Sequence, residues 1–299
     1  MSAEAARAGA VRIGCPAWAH EAWRGRFFTA RARREEFLGQ YAGVFGTTEG
    51  NATFYGVPPA ERVARWAAEA PAEFRFCFKF PRAITHDRLL VGAEAETREF
   101  LARLAPLGER LGPYLIQLHE RFDARRLGVL EAFLRGLPRE FAYAVEVRAP
   151  EFYAGGAEER AVDALLGELG MDRSIFDTRC IHASTATDEF TRDAQRRKPR
   201  LAIRAKATGP RPFVRFVADP HLEKNAAALA AWADTVAAWR AEGRETYFFT
   251  HHPDDTFAPD VGRMFQARLR ERCPDVPAPP RWPAEDEPRA PTAEQLSLL

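Results

Sequence analysis

Short runs of apolar residues alternate with segments of helical periodicity along most of the chain. Several runs are almost continuously apolar, which is typical of strands buried on both faces of a parallel sheet. Eight strands are predicted, at 11–18, 44–54, 73–80, 113–120, 141–148, 173–180, 212–219 and 245–252. The segments between them place apolar residues three or four positions apart, as amphipathic helices do. Trp232, Val236 and Trp239 show this spacing in a long Ala-rich segment.

Eight strands alternating with helices predict a TIM (β/α)8 barrel of parallel strands over residues 11–272. A doubly wound open sheet is the alternative. No Gly-rich GxGxxG or GxxxxGK[ST] motif follows a strand, so nothing indicates a dinucleotide or P-loop site. Two segments depart from the alternation. The polar and basic stretch 182–210 predicts a long loop after strand 6, and the Pro-rich stretch 273–299 predicts an extended tail.

Composition narrows the range of partners. The net charge of the 299-residue chain is +1, so any attraction to nucleic acid must come from a local patch. No apolar run approaches the roughly 18 residues that span a bilayer, and the first residues lack the apolar core of a signal peptide. We therefore expect a cytoplasmic protein that does not bind membranes. Lysine is rare, with only Lys79, Lys198, Lys206 and Lys224 present.

Polar residues interrupt the predicted strands near their carboxyl ends. Glu49 and Asn51 lie two apart, so an extended chain would point both to the same face. Other strands contribute Lys79 and His86, Gln117 and His119, Glu146 and Arg148, and Arg215. Active sites of TIM barrels lie at this end of the strands, so we expect a polar site there. The alternative is a set of inter-strand ion pairs that only fills the barrel.

The most specific segments of the sequence are EGNATFYG and, about 25 residues later, KFPRAITH. Together with GCPAWAHEAWRGRFF and YAVEVR they resemble the family called domain of unknown function 72, the YecE-like proteins. The resemblance spans roughly residues 11 to 272 and implies a TIM-barrel fold. It implies no specific activity. Family members often end strand 8 with a Phe-Asn-Asn type run, where this chain has FTHH, which suggests a different substrate or mode of binding.

Converging basic and acidic residues favour an enzyme that acts on a phosphate-containing or nucleotide-like ligand, such as a hydrolase or phosphodiesterase. The predicted catalytic residues are Lys79, His86, Glu146 and Glu49. The predicted substrate-binding residues are Asn51, Gln117, His119, Arg148, Arg215 and Trp18. His86 or His119 would act as general acid or base because imidazole titrates near neutral pH.

A divalent metal is a second hypothesis for the same end of the barrel. Its candidate ligands are Glu49, Glu146, Asp177, His182 and His251. No HExxH motif is present to support it. Of the adjacent His251 and His252, at most one can face the barrel interior, because neighbouring strand residues point to opposite sides.

The segment QLSLL, residues 295–299, resembles the short peptide by which bacterial proteins dock onto the DNA sliding clamp. Its anchors would be Gln295, Leu296, Leu298 and Leu299, presented on a flexible tail. The basic stretch 196–206 could contact phosphates along a strand or form a solvated lid. These features link the protein to nucleic-acid maintenance, and the alternative to an enzyme is a non-catalytic ligand-binding or clamp-associated accessory protein.

Overall fold

Eight parallel strands form the centre of the molecule in the computed structural model, which describes residues 8–287. The strands are β1 Val11–Cys15, β2 Thr47–Gly50, β3 Arg75–Phe78, β4 Tyr114–Gln117, β5 Tyr143–Glu146, β6 Asp172–Asp177, β7 Phe213–Val217 and β8 Thr246–His251. Each falls in or at the edge of a predicted strand. Their order around the sheet is β3-β2-β1-β8-β7-β6-β5-β4, so all eight predicted strands are confirmed.

The sheet closes into a barrel between β3 and β4. These strands meet through two isolated parallel bridges, Phe76 with Leu111 and Lys79 with Leu115. The backbone N–H of Phe80 donates to the carbonyl of Leu115 at 2.9 Å, which ties the two edges together. The fold is therefore the predicted TIM-type barrel and not an open doubly wound sheet.

Helices surround the barrel and cover its outer face. Within residues 8–287 they are α1 Phe37–Ala42, α2 Ala60–Glu69, α3 Glu94–Leu104, α4 Leu127–Arg135, α5 Ala157–Glu168, α6 Arg179–Ala183, α7 Glu189–Arg197, α8 Ala226–Ala241 and α9 Ala258–Arg272. The spacing seen in the sequence explains which side each buries. In α8, the predicted apolar stripe of Trp232, Val236 and Trp239 is buried against the barrel.

The interior of the barrel is a packed core, as expected for eight strands. Its central layer is apolar and consists of Cys77, Leu115, Ala144, Phe213, Tyr247 and Phe249. Burial raises the pKa of the Cys77 thiol far above its ordinary value, so the thiol stays protonated. The apolar layer separates a polar group at the carboxyl ends of the strands from another at their amino ends.

Two connections differ from simple βα loops. The predicted loop after β6 is long, as expected, but contains α6 and α7 before an irregular stretch over 198–212. Beyond α9, the stretch 273–287 lies on the barrel. Trp282 packs on Phe27 with ring centroids 5.4 Å apart, and the Arg263 guanidinium lies 3.6 Å above the Trp282 ring. The first part of the predicted tail is thus attached to the domain.

Candidate functional site

The carboxyl ends of the strands bring one layer of inward-facing side chains together, which we call the mouth layer. It consists of Glu49, Lys79, Gln117, Glu146, Phe176, Arg215 and His251, all of them buried. Strand register aligns two pairs of them, because Gln117 pairs with Glu146 and Phe176 pairs with Arg215 across neighbouring strands. Six of these seven residues are polar, as the sequence predicted for this end of the barrel.

Arg215 links the two buried carboxylates of the mouth layer. Its Nε and Nη2 donate to the two oxygens of Glu49, each at 2.7 Å. Its Nη1 donates to Oε2 of Glu146 at 2.6 Å. This fork uses the planar geometry of guanidinium, which lysine could not reproduce. Glu49 of β2 is therefore paired with Arg215 of β7, three strands away around the barrel.

Glu146 accepts two further hydrogen bonds. Gln117 Nε2 and Arg148 Nε each donate to its Oε1 at 2.8 Å. Burial opposes ionisation of this carboxyl, but Arg215 and Arg148 outweigh burial and lower its pKa to about 2. Burial likewise opposes ionisation of Glu49, while Arg215 holds its pKa well below the ordinary value. Both carboxylates are fixed acceptors and stay ionised near neutral pH.

Lys79 contrasts with Arg215 because no carboxylate holds it. Its Nζ lies 3.8 Å from the centroid of the Phe54 ring, a cation–π distance. In residues 8–287, no acceptor forms a hydrogen bond or ion pair with that nitrogen. Burial, followed by repulsion from Arg215, lowers the pKa of Lys79 to about 7. The ammonium therefore loses its proton easily.

Three cations lie around the ring of Phe176. The guanidinium of Arg215 lies 4.6 Å from its centroid, that of Arg148 5.5 Å, and Lys198 Nζ 5.7 Å. Burial and Arg215 lower the pKa of Lys198. Sequence reasoning assigned neither Phe176 nor Lys198 to the site. The rarity of lysine was a signal for Lys198, whereas one Phe in an apolar strand carried none.

His86 and His119 lie together beside Lys79, with ring centroids 5.1 Å apart. Nδ1 of His86 shares a 2.9 Å hydrogen bond with the Thr85 hydroxyl, and its ring stands edge-on to Phe54. Burial and the charge of Lys79 lower the pKa of His86 to about 4, so it is neutral at pH 7. Nδ1 of His119 accepts the backbone N–H of Arg121 at 3.0 Å, which leaves Nε2 to carry the proton of its neutral form.

His251 is the inward-facing member of the His-His pair, as the alternation rule allows for one of the two. Its Nε2 lies 3.6 Å from Oε2 of Glu49, too far for a hydrogen bond, and finds no other partner among the described residues. His252 instead pairs with Asp254, Nδ1 to Oδ1 at 2.6 Å. His251 thus presents to the mouth layer a buried ring nitrogen that makes no hydrogen bond and has Glu49 within ion-pair distance.

Asn51 and Trp18 lie at the margin of this arrangement. Strand β2 ends at Gly50, and Asn51 begins a tight helical turn, so it does not share the strand alternation of Glu49. Its Nδ2 donates to the Pro16 carbonyl at 3.1 Å. Trp18 packs edge-on against Trp66 of α2, 5.2 Å between centroids. It also packs edge-on against Phe76 of β3, 5.6 Å between centroids, so these contacts lie between the barrel and α2.

The candidate metal ligands do not converge. Asp177 points away from the barrel interior and accepts the Trp232 Nε1–H at 2.8 Å, and His182 Nε2 contacts the carbonyl of Lys198 at 3.1 Å. Across residues 8–287, no three His, Cys, Asp or Glu side chains form a group that could hold a metal ion. The residues of the mouth layer therefore do not fit a metal centre.

The predicted anchors of the clamp-binding peptide are not part of the described structure. Gln295, Leu296, Leu298 and Leu299 lie outside the described residues. No helix within 8–287 has the length and apolar character needed to cross a bilayer.

Fold and mouth layer together define a TIM-barrel protein whose site is an ion-pair network with additional cations. A family model described as "Protein of unknown function DUF72" matches residues 12–286. The chain belongs to this family, which confirms the resemblance found in the sequence. The matched region extends beyond residue 272, the predicted domain end, and includes the stretch that carries Trp282.

Individual relatives agree with this assignment. The chain is 37% identical over 275 residues to the UPF0759 protein YecE of Escherichia coli strain K12, covering 92% of this chain and 98% of that protein. A crystal structure of a DUF72 family protein from Enterococcus faecalis aligns with a TM-score of 0.66 at 18% identity, covering 88% and 99% of the two chains. One from Thermotoga maritima gives 0.66 at 19% identity, covering 89% and 100%. These two similarities show the fold.

Proposed function

We propose that the protein is an enzyme that acts on a phosphate-bearing substrate at the mouth of the barrel. One observation carries this proposal: the site holds more cations than its carboxylates can neutralise. The four cations are Arg148, Lys79, Lys198 and Arg215, and the carboxylates that act on them are Glu49, Glu146 and, at Lys198, Asp255. Uncompensated charge in a buried site is unfavourable unless a counter-ion arrives, so the arrangement favours an anionic ligand.

The spare hydrogen-bonding capacity lies on the side chains that would meet such a ligand. Arg148 uses Nε for Glu146, and its two outer nitrogens form no hydrogen bond within the described residues. Its side chain is one-fifth exposed, so those nitrogens are accessible from solvent. A guanidinium fork and nearby lysines form the pattern that recognises phosphate oxygens. Arg148 and Lys198 are the proposed phosphate-binding residues.

The acid–base groups of the proposed reaction are the two histidines. His86 is neutral at pH 7 and hydrogen-bonded to a hydroxyl, while His119 lies against it. Neither pairs with Glu49 or Glu146 in the described structure. In this proposal those carboxylates orient Arg215 and balance charge instead of transferring protons. Phosphate-ester hydrolysis, the reaction expected from the sequence, remains a prediction for a direct assay.

Calorimetric titration with pyrophosphate and with a nucleoside monophosphate tests the proposal. We expect Lys198→Met and Arg148→Met each to weaken binding by about 10-fold or more, since each removes a charge-assisted contact. Lys206→Met is the matched control, because Lys206 belongs to the same connection but is 68% exposed and pairs with Asp163. Equal affinity in all three variants and the wild type would contradict the proposal. A panel of phosphate mono- and diesters then tests turnover, and binding without turnover would favour the non-catalytic alternative.

The QLSLL segment extends the proposal to a cytoplasmic protein linked to nucleic-acid maintenance. A short peptide with a few apolar anchors can bind a preformed groove at small entropic cost. We expect the full chain to bind the DNA sliding clamp and a chain lacking 295–299 not to bind it. Binding that survives the deletion, or no binding by the full chain, would remove this link while leaving the barrel proposal unaffected.

A further inference from the structure

Lys79 stands apart from every other cation of the mouth layer because the fold positions it without giving it a partner. Its backbone carbonyl accepts the Thr53 hydroxyl at 2.6 Å, and its backbone N–H donates to Gly50 at 3.3 Å. The side chain then passes over the Phe54 ring, with Nζ 3.8 Å from the centroid. The chain fixes the direction of the amine but leaves its nitrogen free to react.

The charged groups around this amine favour its neutral form. Arg215 from β7 and Arg148 after β5 repel the ammonium, whereas Glu146 from β5 and Glu49 from β2 attract it, and the balance together with burial favours the neutral amine. His86 after β3 is uncharged near pH 7. Arg215 pairs with both carboxylates, and its positive charge offsets their attraction for the Lys79 ammonium. Burial and the adjacent guanidinium lower the pKa of Lys79 to about 7, which makes about half of the amine nucleophilic at neutral pH.

We propose that Lys79 is a nucleophile that forms an imine with the carbonyl carbon of an anionic aldehyde or ketone. This inference rests on the proposed function, because Arg148 and Lys198 would hold the anionic group of the same substrate. The amine lone pair forms the C–N bond, and the carbonyl oxygen takes up a proton to give a carbinolamine. The C–O bond then breaks, the hydroxyl leaves as water, and the nitrogen loses its remaining proton to leave C=N.

The groups beside Lys79 match the needs of that step. Dehydration of the carbinolamine requires a proton carrier, and His86 contacts the same Phe54 ring, with centroids 4.8 Å apart. A neutral imidazole can accept the proton that the amine releases and return it to the departing hydroxyl. Glu146 is unsuited to the task, because its pKa of about 2 keeps it ionised. Nothing beyond the carbonyl compound is consumed, so the step needs no oxidant or reductant.

Reductive trapping tests the proposal on the full chain. The protein is incubated at pH 7 with glyceraldehyde 3-phosphate, pyruvate or neutral glyceraldehyde in the presence of cyanoborohydride, and the modified residue is mapped by peptide mass spectrometry. We expect one adduct per chain at Lys79, at least 10-fold faster with an anionic carbonyl than with glyceraldehyde. The relative rates of the two anions decide between phosphate and carboxylate recognition. The chain has only four lysines, so peptide mapping can distinguish Lys79 from the other lysines and from the α-amino group.

Lys79→Arg keeps the positive charge but cannot form an imine, and we expect it to lose the adduct. Lys206→Arg is the matched control and should be trapped like the wild type. The trapping rate should rise as pH passes through about 7, where the amine becomes neutral. Adducts spread over Lys206 and Lys224, or none at Lys79, would overturn the inference. Pyrophosphate binding without any adduct would refute the imine alone, and absence of both would refute the proposed function as well.

Discussion

The two ends of the barrel interior both hold charged residues, but they hold them differently. At the amino ends of the strands, Arg12 Nε pairs with Oε1 of Glu245 at 2.5 Å, and Arg12 Nη1 donates to the Glu73 carbonyl at 2.6 Å. Arg211 reaches the other oxygen of Glu245 at 3.5 Å. The side chains of Arg12 and Glu245 are 18% and 28% exposed, so water assists these pairs.

At the mouth, the charges are buried more deeply and do not balance. Glu49 and Glu146 are fully buried, Lys79 Nζ has no acceptor among the described residues, and His251 Nε2 has no hydrogen bond. An interior designed only for stability would resemble the amino end, with each charge paired and partly hydrated. Surplus cations and an imidazole nitrogen without a hydrogen bond are unfavourable in the free protein, which supports the binding role that we propose for this end.

The largest expected effect on the free energy of unfolding comes from breaking the ion-pair network of the mouth layer. Arg215→Met leaves the two carboxylates of Glu49 and Glu146 buried without their shared cation. Breaking a buried ion pair in this way costs about 3–5 kcal/mol, so we expect the free energy of unfolding to fall by that amount. Urea denaturation at pH 7 measures it. Adding Glu49→Gln to the variant should restore part of the loss, and a loss below about 1 kcal/mol would contradict the buried network.

Removal of the Lys79 charge is expected to raise the free energy of unfolding, whereas removal of the Arg215 charge lowers it. Its pKa is about 7 in the folded protein against the ordinary 10.5, so between these pH values the unfolded chain binds more protons. Stability therefore rises with pH through this window, and below about pH 7 the full penalty applies. At pH 6, Lys79→Met should be more stable than the wild type by on the order of 2–4 kcal/mol, with the difference vanishing towards about pH 10.5.

Denaturation series from pH 6 to about 10 measure this difference. Lys206→Met is the control, since its exposed amine should give no such pH-dependent gain. A Lys79→Met variant that is no more stable than the wild type at pH 6 would show that the amine is not destabilising. Opposite changes in the free energy of unfolding would show that Arg215 stabilises the fold and that Lys79 destabilises it.

The barrel was predictable because its eight strands are short apolar runs separated by helical periodicity. The residues at which the strands end were less predictable. The predicted strand 44–54 stops at Gly50, where the Thr53 hydroxyl donates its single hydrogen to the Lys79 carbonyl at 2.6 Å and lies 2.9 Å from the Gly50 carbonyl, within a turn. That contact joins residues 26 positions apart and leaves no trace in the local pattern. Trp18 lies beyond the end of β1 at Cys15 and packs on Trp66 of α2, and its assignment to substrate binding stays a prediction.

The polar site was predictable to the extent that it consists of charged residues in apolar strands. Glu49, Glu146 and Arg215 could be listed from the sequence, but not that Arg215 bridges both carboxylates across the barrel. Lys198 comes from the connection after β6, where the sequence showed only a basic stretch. Its position over Phe176 depends on how that connection folds back over the mouth, which no local pattern encodes.

The smallest effect is expected at the amino end. Glu245→Gln removes the carboxylate between Arg12 and Arg211, but both guanidinium groups remain partly in water. Solvent-exposed pairs of this kind contribute about 0–1 kcal/mol, so we expect a loss within that range in urea denaturation. Pyrophosphate affinity should be unchanged, because the apolar layer of Cys77, Phe213 and its neighbours separates this end from the mouth. A loss of unfolding free energy as large as that of Arg215→Met, or a change in pyrophosphate affinity, would contradict the difference that we infer between the two ends of the barrel.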